Sequence, residues 1–464
     1  MRTTPHSLNR FCSTHFYFSL FIFATLLSSC SVQQRIARSA KARVLQAPAL
    51  QTAHVGISIY DPASGKYLYN YQGDKYFVPA SNTKIATCYA AMKYLGDSLV
   101  GLRYQTANGV TDIFPAGDPG FLHKDFAQQP VLDFLRNNQG KIRLAYTGKD
   151  NFEKFGSGWS WNDYNEYYMA ERSLMPLFGN VFTVAFDSRD SLIIRPDLQD
   201  DMYRIPLWDE TGSGRDIISR KKADLPTNFR IKRLPDMNTL VMYDARAAFT
   251  GQEIPVQNPD AFLPLYLSEL LGEKFNPQAS VLPGLQTKDL RKICSRPTDS
   301  LLKPLMHRSD NFFAEQSLLM VSNEKLGFMN DAAIIDTILK TDFKDLPQAP
   351  RWADGSGLSR YNLFTPQDFV MILHKMEKEF GMERIKAIFP TGGEGTISAY
   401  YKKDAGFIFG KTGTLSGVVA FSGFLYTKKG KLLLFSTLVN NHRSSATDVR
   451  KAIEKFLTGL REKY

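Results

Sequence analysis

Cysteine is scarce in this chain, with four in 464 residues. Cys12 and Cys30 fall within or at the end of an apolar N-terminal segment. That leaves Cys88 and Cys294, too few for a disulfide framework in a chain of this size. Cys88 lies in an apolar helical stretch and reads as a small buried hydrophobe. The seven histidines are scattered; no His-Glu-x-x-His spacing occurs, so no metal site is expected, and no motif requires a cofactor. A Gly-x-Ser-x-Gly turn is missing too, which argues against Ser-His-Asp chemistry. Repeats and low-complexity runs are absent, and with 43% hydrophobic residues the chain can bury large cores in two or three globular domains. The formal charge of +11 is spread along the sequence without a dense Lys/Arg block. It therefore points away from nucleic acid as a partner and suits an anionic polymer or membrane surface.

The first apolar run is too short to cross a bilayer. Phe16 to Leu27 covers 12 residues, whereas a spanning helix needs about 20. Preceded by Arg2 and Arg10 and followed by small residues, it reads as a signal peptide over residues 1–29. Leu27-Ser28-Ser29-Cys30 resembles the lipobox of bacterial lipoproteins, which implies a lipidated Cys30 as the mature N-terminus. Such an anchor binds a membrane through roughly 0.8 kcal/mol per buried CH₂. The expected location is the periplasm, on a bacterial membrane, with the outer membrane favoured. Residues 30–51, basic and rich in small side chains, are expected to be a tether.

Beyond the tether the pattern changes. Val55 to Tyr60 and Lys66 to Tyr71 alternate at period two around the turn Asp61-Pro62-Ala63-Ser64-Gly65, predicting a β-hairpin. Ser81 to Leu95 is a mostly apolar helical stretch. At the other end, Gly417 to Tyr426 and Lys431 to Asn440 predict two strands, and Ala446 to Lys463 an amphipathic helix. Strands at both ends of the chain are most simply combined in one antiparallel sheet flanked by helices, an α+β fold over residues 52–100 and 295–464. Residues 101–294, rich in Gly, Pro, Asp and aromatic side chains, are expected to be a mainly β insertion of one or two subdomains. Trp159 and Trp161 within it are either core aromatics or part of a binding surface.

Three short motifs carry the chemistry. Ser81-Asn82-Thr83-Lys84 is a Ser-x-x-Lys, a spacing that recurs at Ser219/Lys222, Ser300/Lys303 and Ser322/Lys325. The first copy differs in context, because Ser81 opens an apolar helix whose free N–H groups favour negative charge. Lys84, three residues on, lies on the same face within reach of the hydroxyl. Ser309-Asp310-Asn311 and Lys411-Thr412-Gly413 follow in that order. From average residue usage, each triplet arises by chance in about one chain in ten of this length.

This trio is the one shared by penicillin-binding proteins and class A β-lactamases. The sequence resembles, more narrowly, the class C low-molecular-mass penicillin-binding proteins, the D-alanyl-D-alanine carboxypeptidase and endopeptidase family. Further matches are Asp354-Gly355-Ser356-Gly357-Leu358-Ser359-Arg360, Gly392-Gly393-Glu394-Gly395-Thr396, Gly410 to Thr414, and Gly158-Trp159-Ser160-Trp161-Asn162-Asp163. Together they cover the chain from about residue 55 onward, and the Gly-Gly-Glu-Gly segment departs from the family's usual wording. The resemblance implies the penicillin-binding/serine β-lactamase-like transpeptidase fold. It also implies peptidoglycan stem peptides as substrate and β-lactam antibiotics as acylating inhibitors.

Ser81 is then the expected nucleophile and Lys84 its base. Free lysine titrates near pH ~10.4, so a neutral amine at pH ~7 requires a pKa about three lower, worth about 4 kcal/mol. Burial plus a second cation, Lys411, is the expected means. Ser309 is expected to relay a proton to the leaving amine, and Asn311 to orient Lys84 and the substrate amide. Lys411 and Thr412 are expected to hold the substrate carboxylate on the Lys411-Thr412-Gly413 strand, and the N–H groups of Ser81 and Thr414 the oxyanion. Arg360 either contacts an acidic stem peptide or belongs to a purely structural turn; His307 is read as structural. Two alternatives share the motifs: a β-lactamase, which would lack the insertion, and a silent wall-binding lipoprotein, against which the intact motif residues argue.

Overall fold

The computed structural model describes residues 32–196, 206–208 and 217–464. The expected signal peptide and Cys30 lie outside the described residues. The described chain begins with a helix α1 over 32–45, whose last turn, Lys41–Leu45, is wound as a π-helix. The hairpin β1 (His54–Asp61) and β2 (Lys66–Tyr71) follows where its alternation predicts it. Next comes α2 (Lys84–Tyr94), preceded by one 3₁₀ turn, Ala80–Thr83.

The insertion contains β3 (Ser98–Ala107), β4 (Val110–Pro115), α3 (Pro130–Asn137), β5 (Lys141–Tyr146), β6 (Val181–Phe186), β7 (Leu192–Arg195), β8 (Leu207–Trp208), β9 (Phe229–Arg233), β10 (Leu240–Asp244), β11 (Gln252–Pro255), α4 (Pro259–Leu271), β12 (Phe275–Val281) and β13 (Arg291–Pro297). The chain then returns through α5 (Thr298–His307), α6 (Asn311–Leu326), α7 (Asp331–Lys340), α8 (Pro366–Ile388), β14 (Ile408–Leu415), β15 (Val418–Tyr426), β16 (Leu432–Asn440) and α9 (Ala446–Lys463).

The two chain ends do share one sheet. Its order is β14-β15-β16-β1-β2, antiparallel throughout, with Ile57 opposite Thr437 and Lys411 opposite Ser422. Strands β1, β15 and β16 read as nearly continuous apolar runs because both faces of the sheet are covered. On one face, Ala420, Phe424, Leu434 and Leu438 pack into a core with side chains of α2, α5, α6, α7 and α8. On the other, Ile57, Ile59, Phe421 and Phe435 pack against α9 and α1. Helix α2 is buried on nearly all sides, from Lys84 to Met92, as its uniformly apolar sequence requires.

One feature differs from expectation. Residues 32–50 are not an extended tether: Ile36, Ala40 and Val44, spaced four apart, are fully buried with Leu50 against α9. Arg35, Arg38 and Lys41 point outward from that same helix, and their charge hides the apolar stripe in the sequence. The insertion also carries helices α3 and α4; α4 is so evenly apolar that it shows little helical period. The insertion leaves and returns on neighbouring antiparallel strands, β3 and β13, closed by the Thr298 N–H on the Asp97 carbonyl at 2.9 Å. Among the described residues, its three sheets contribute to one apolar cluster of their own. No helix among the described residues is long and apolar enough to cross a membrane.

If α1 is part of the folded body, Ile36→Ala should lower stability by about 2–5 kcal/mol, the usual effect of emptying a fully buried aliphatic site. A chemical-denaturation midpoint checks this; an unchanged midpoint would mean that α1 is dispensable to the fold.

Candidate active site

The segment before α2 is shaped to hold a serine against a strand edge. Ala80 sits at φ +48°, a conformation uncommon outside glycine. The Thr83 hydroxyl donates back to the Ala80 carbonyl at 2.9 Å. The Asn82 side-chain amide donates to the Lys411 carbonyl at 2.7 Å, stitching the turn to β14. Gly413 makes the approach possible: a Cβ there would stand 2.6 Å from the Pro79 carbonyl oxygen and 3.0 Å from the Ser81 nitrogen. Sequence reading starts the helix at Ser81, whereas α-helical bonding begins at Lys84 after a 3₁₀ turn. The three-residue spacing still brings Lys84 Nζ to 3.1 Å from Ser81 Oγ.

Lys84 has no exposed surface. Its amine is 2.7 Å from Asn311 Oδ1 and 2.7 Å from the Ser356 carbonyl oxygen. Asn311 Nδ2 donates to the Tyr168 carbonyl at 3.2 Å, which fixes the side-chain oxygen, Oδ1, toward Lys84. Asn311 Oδ1 and the Ser356 carbonyl are both acceptors, so each takes one N–H bond of the Lys84 amine, and the third contact of that amine is Ser81 Oγ. Burial lowers the Lys84 pKa to about 8, against the opposing pull of the carboxylates Asp354, Glu315 and Asp310.

Ser309 occupies a left-handed turn (φ +62°) just ahead of α6. Asp310 caps that helix by accepting the Phe313 N–H at 3.0 Å, so Asn311 is its first residue. The Ser309 hydroxyl oxygen lies 2.9 Å from Lys411 Nζ, which also donates to the Thr412 carbonyl at 2.7 Å. Lys411 is as buried as Lys84, and burial, followed by Lys84 itself, holds its pKa well below the usual lysine range. Of the two expected means of lowering Lys84, burial and a second cation, burial is the main one; the charges that act most on Lys84 are carboxylates, and Lys411 is itself depressed.

The remaining anticipated residues lie further along the cleft. Thr412 Oγ1 is 2.7 Å from Thr396 Oγ1, joining the Gly-Gly-Glu-Gly-Thr segment to β14. Thr414 is exposed, and its hydroxyl accepts from Arg450 at 2.7 Å. Arg360 is exposed too. It donates to the Ser416 carbonyl at 3.2 Å, just beyond the end of β14. Its loop is built on a buried carboxylate: Asp354 accepts from the N–H groups of Gly357 and Ser359, from Asn362 and from the Trp159 indole. Gly357, at φ +80°, leaves no room for a Cβ, which would lie 1.9 Å from the Ala80 carbonyl oxygen. Trp161, by contrast, is 79% exposed. Cys88 and Cys294 are both free.

Sequence reasoning missed Glu315 and Arg172. Glu315, one turn after Asn311 on α6, accepts the N–H groups of Gly355 (3.2 Å) and Ser356 (2.7 Å), which orients the Ser356 carbonyl toward Lys84. Arg172, from the insertion, donates twice to Glu315 (2.5 and 3.0 Å) and once to Asp331 (2.7 Å). Arg172 and Glu315 are each only 1% exposed. An acid inside the apolar helical run Phe312 to Met320 was a legible signal for Glu315; Arg172, in an irregular loop, had none.

A helix-start Ser-x-x-Lys, a Ser-Asp-Asn turn and an edge-strand Lys-Thr-Gly meeting in one cleft define the class of penicillin-interacting serine enzymes. The chain belongs to the D-Ala-D-Ala carboxypeptidase 3 (S13) family of serine peptidases, whose model matches residues 37–460. It is 24% identical over 437 residues to the D-alanyl-D-alanine carboxypeptidase DacB of Haemophilus influenzae, covering 84% of this chain and 86% of that protein. To the D-alanyl-D-alanine carboxypeptidase of Actinomadura sp. (strain R39) it is 26% identical over 443 residues, 87% and 80% of the two chains. The fold is that of the crystal structure of penicillin binding protein 4 (dacB) from H. influenzae. The TM-score is 0.66 at 21% identity, over 92% of this chain and 98% of that one. The same protein complexed with a β-lactam superposes with a TM-score of 0.65.

Removing one partner of a buried ion pair typically costs about 3–5 kcal/mol, because the other charge is left without compensation. Arg172→Met should show this loss in chemical denaturation. In a double-mutant cycle with Glu315→Leu, the pair of changes should cost less than the sum of the two; strict additivity would mean the two charges are not coupled.

Proposed function

We propose that this protein is a serine DD-peptidase that cleaves D-alanyl-D-alanine termini, D-alanyl cross-links, or both, in peptidoglycan stem peptides through an acyl-Ser81 intermediate. The observation that carries the reading is the buried Lys84 amine, 3.1 Å from Ser81 Oγ and bonded to two acceptors, Asn311 Oδ1 and the Ser356 carbonyl; in its neutral form this arrangement leaves the lone pair for the Ser81 hydroxyl. In this reading Ser81 Oγ attacks the D-alanyl carbonyl carbon as its proton passes to Lys84. The oxyanion is held by the backbone N–H groups of Ser81 and Thr414. The C–N bond then breaks, and the proton moves from Lys84 through Ser309 to the leaving amine. Water adds to the ester and restores Ser81. Lys411 and Thr412 hold the substrate carboxylate, which supplies the anion that a buried lysine otherwise lacks. Asn311 orients the substrate amide, Gly413 keeps β14 close to the reacting carbonyl, and Arg360 stands at the rim for an acidic stem residue.

Penicillins are proposed to acylate the same serine. The chain is proposed to be exported to the periplasm, with Cys30 lipidated and the protein held at a membrane, the outer one favoured. No nucleic acid, metal or organic cofactor enters the reading.

Fluorescent penicillin should label the wild-type protein covalently and fail to label Ser81→Ala; an undiminished label on that variant would eliminate Ser81 as nucleophile. Lys84→Ala should slow acylation by about 10²–10⁴, the range of a lost general base. Because the neutral amine is the active form, the acylation rate should rise with pH through about 8. Glu315→Gln removes a carboxylate that raises the Lys84 pKa, so its profile should move to lower pH; a profile unchanged in both respects would sink Lys84 as base.

A further inference from the structure

One end of the β14-β15-β16-β1-β2 sheet gathers positive charge from segments far apart in the sequence. The turn between β15 and β16 places Lys428 and Lys429 there, both exposed. The residues leading into β14 add exposed Lys402 and Lys403, and the first turns of α1 add exposed Arg35 and Arg38. We infer that this end is a docking surface for a bilayer carrying anionic phospholipid, with Phe407 entering the headgroup layer. The inference deepens the proposed attachment to a membrane, on which it rests, by naming the face that meets the lipid and the lipid chemistry it selects.

The surface is built rather than incidental, because the last turns of α9 hold its three segments together. Buried Arg461 pairs with Asp404 at 3.3 Å and lies 4.1 Å from the ring centre of Phe407. Its carbonyl accepts the Lys428 N–H at 3.0 Å. Three residues on, the Tyr464 hydroxyl donates to the Val32 carbonyl at 3.3 Å, which sets the start of α1 beside the end of α9. The charges of Arg35 and Arg38 reach Tyr464 there: burial pushes its phenol up, and the two guanidinium groups act against that.

Its charge is also left over from the fold. Acids at this end have cations of their own: Asp61 pairs with Lys431, Asp404 with Arg461 and Glu383 with Lys386. On the last turn of α9, exposed Glu462 and Lys463 offset each other. The six outward cations make no ion pair among the described residues, and each Lys or Arg held near an anionic bilayer strengthens partition by about fivefold. Phe407 selects a bilayer over a wall polymer. It is 44% exposed amid these cations, and a soluble polyanion would match the charge yet give a phenyl ring no apolar layer to enter. Chain direction agrees, since Val32, at this end, follows Cys30 by two positions in the sequence. An acyl group on Cys30 would draw this face, and no other, toward the lipid.

The test uses the full mature chain without its acyl group, so that the surface acts alone. Vesicles of phosphatidylcholine should leave the protein free in a sedimentation assay. Mixed phosphatidylcholine and phosphatidylglycerol vesicles should bind it, and should release it at ~1 M salt, where the Debye length falls to about 3 Å. Lys428→Glu/Lys429→Glu should lower that partition by about tenfold or more, while Arg291→Glu/Lys292→Glu, an equal change of charge on exposed β13 positions, should leave it within about twofold. Penicillin labelling at the wild-type rate shows that a variant is folded, and Arg35→Glu/Arg38→Glu, on a separate segment, applies the same test should the hairpin variant not fold. The added emission of Phe407→Trp should be quenched by brominated acyl chains. Equal losses in the hairpin and β13 variants, an unquenched tryptophan, or retention by isolated peptidoglycan with no binding to either vesicle would overturn the docking surface. An unacylated Cys30 in the exported protein, shown by its intact mass, would bring down the lipid anchor and leave the surface standing on its vesicle binding.

Discussion

The rest of the site depends on keeping one amine dry. An ammonium group moved from water into a protein interior loses several kcal/mol of hydration even after relaxation, and Lys84 is enclosed by four separate parts of the chain. They are the turn before α2, the start of α6, the loop at Ser356 and, through Asn82 and Lys411, the edge strand β14. The chain around it contributes acceptors rather than a counter-ion in direct contact. The three carboxylates that act on Lys84 do so from a distance and moderate the effect of burial without cancelling it. The balance leaves the amine close to the point where proton loss and proton return are both accessible near neutral pH.

The acids that moderate Lys84 are themselves costly to bury, and the insertion contributes to holding them. Arg172 compensates Glu315 and Asp331, and its guanidinium lies 5.4 Å from the ring centre of Trp159, whose indole N–H satisfies Asp354. Glu315 pushes the Asp354 pKa upward in addition to burial, so the indole and amide donors around Asp354 matter to its charge. A segment nearly 200 residues long in the sequence thus bears on Lys84 through two of its side chains, Arg172 and Trp159.

The sequence was most legible where a motif or a period maps directly onto side-chain direction. The β1–β2 hairpin, β15, β16 and α9 follow from alternation and amphipathicity, and the union of both chain ends in one sheet follows from them. The five residues Ser81, Lys84, Ser309, Asn311 and Lys411 converge as their motifs require. What escaped has identifiable causes. Ser356 acts through a backbone carbonyl, which no residue type advertises. Arg172 sits outside any regular element. In α1, three outward basic residues outweighed a stripe of only Ile36, Ala40 and Val44. The depth at which Lys411 is buried escaped as well, because sequence reports charge type but not desolvation.

The docking of α1 also bears on where the cleft can reach. Residue 32 is already helical, and Ile36, four positions later, is locked beneath α9. Were Cys30 acylated as proposed, scarcely any slack would separate the lipid from the rigid body. The height of Ser81 above the bilayer would then be set by the dimensions of the domain itself, as on a short mast, and the enzyme would work on the layer of wall lying at that one altitude.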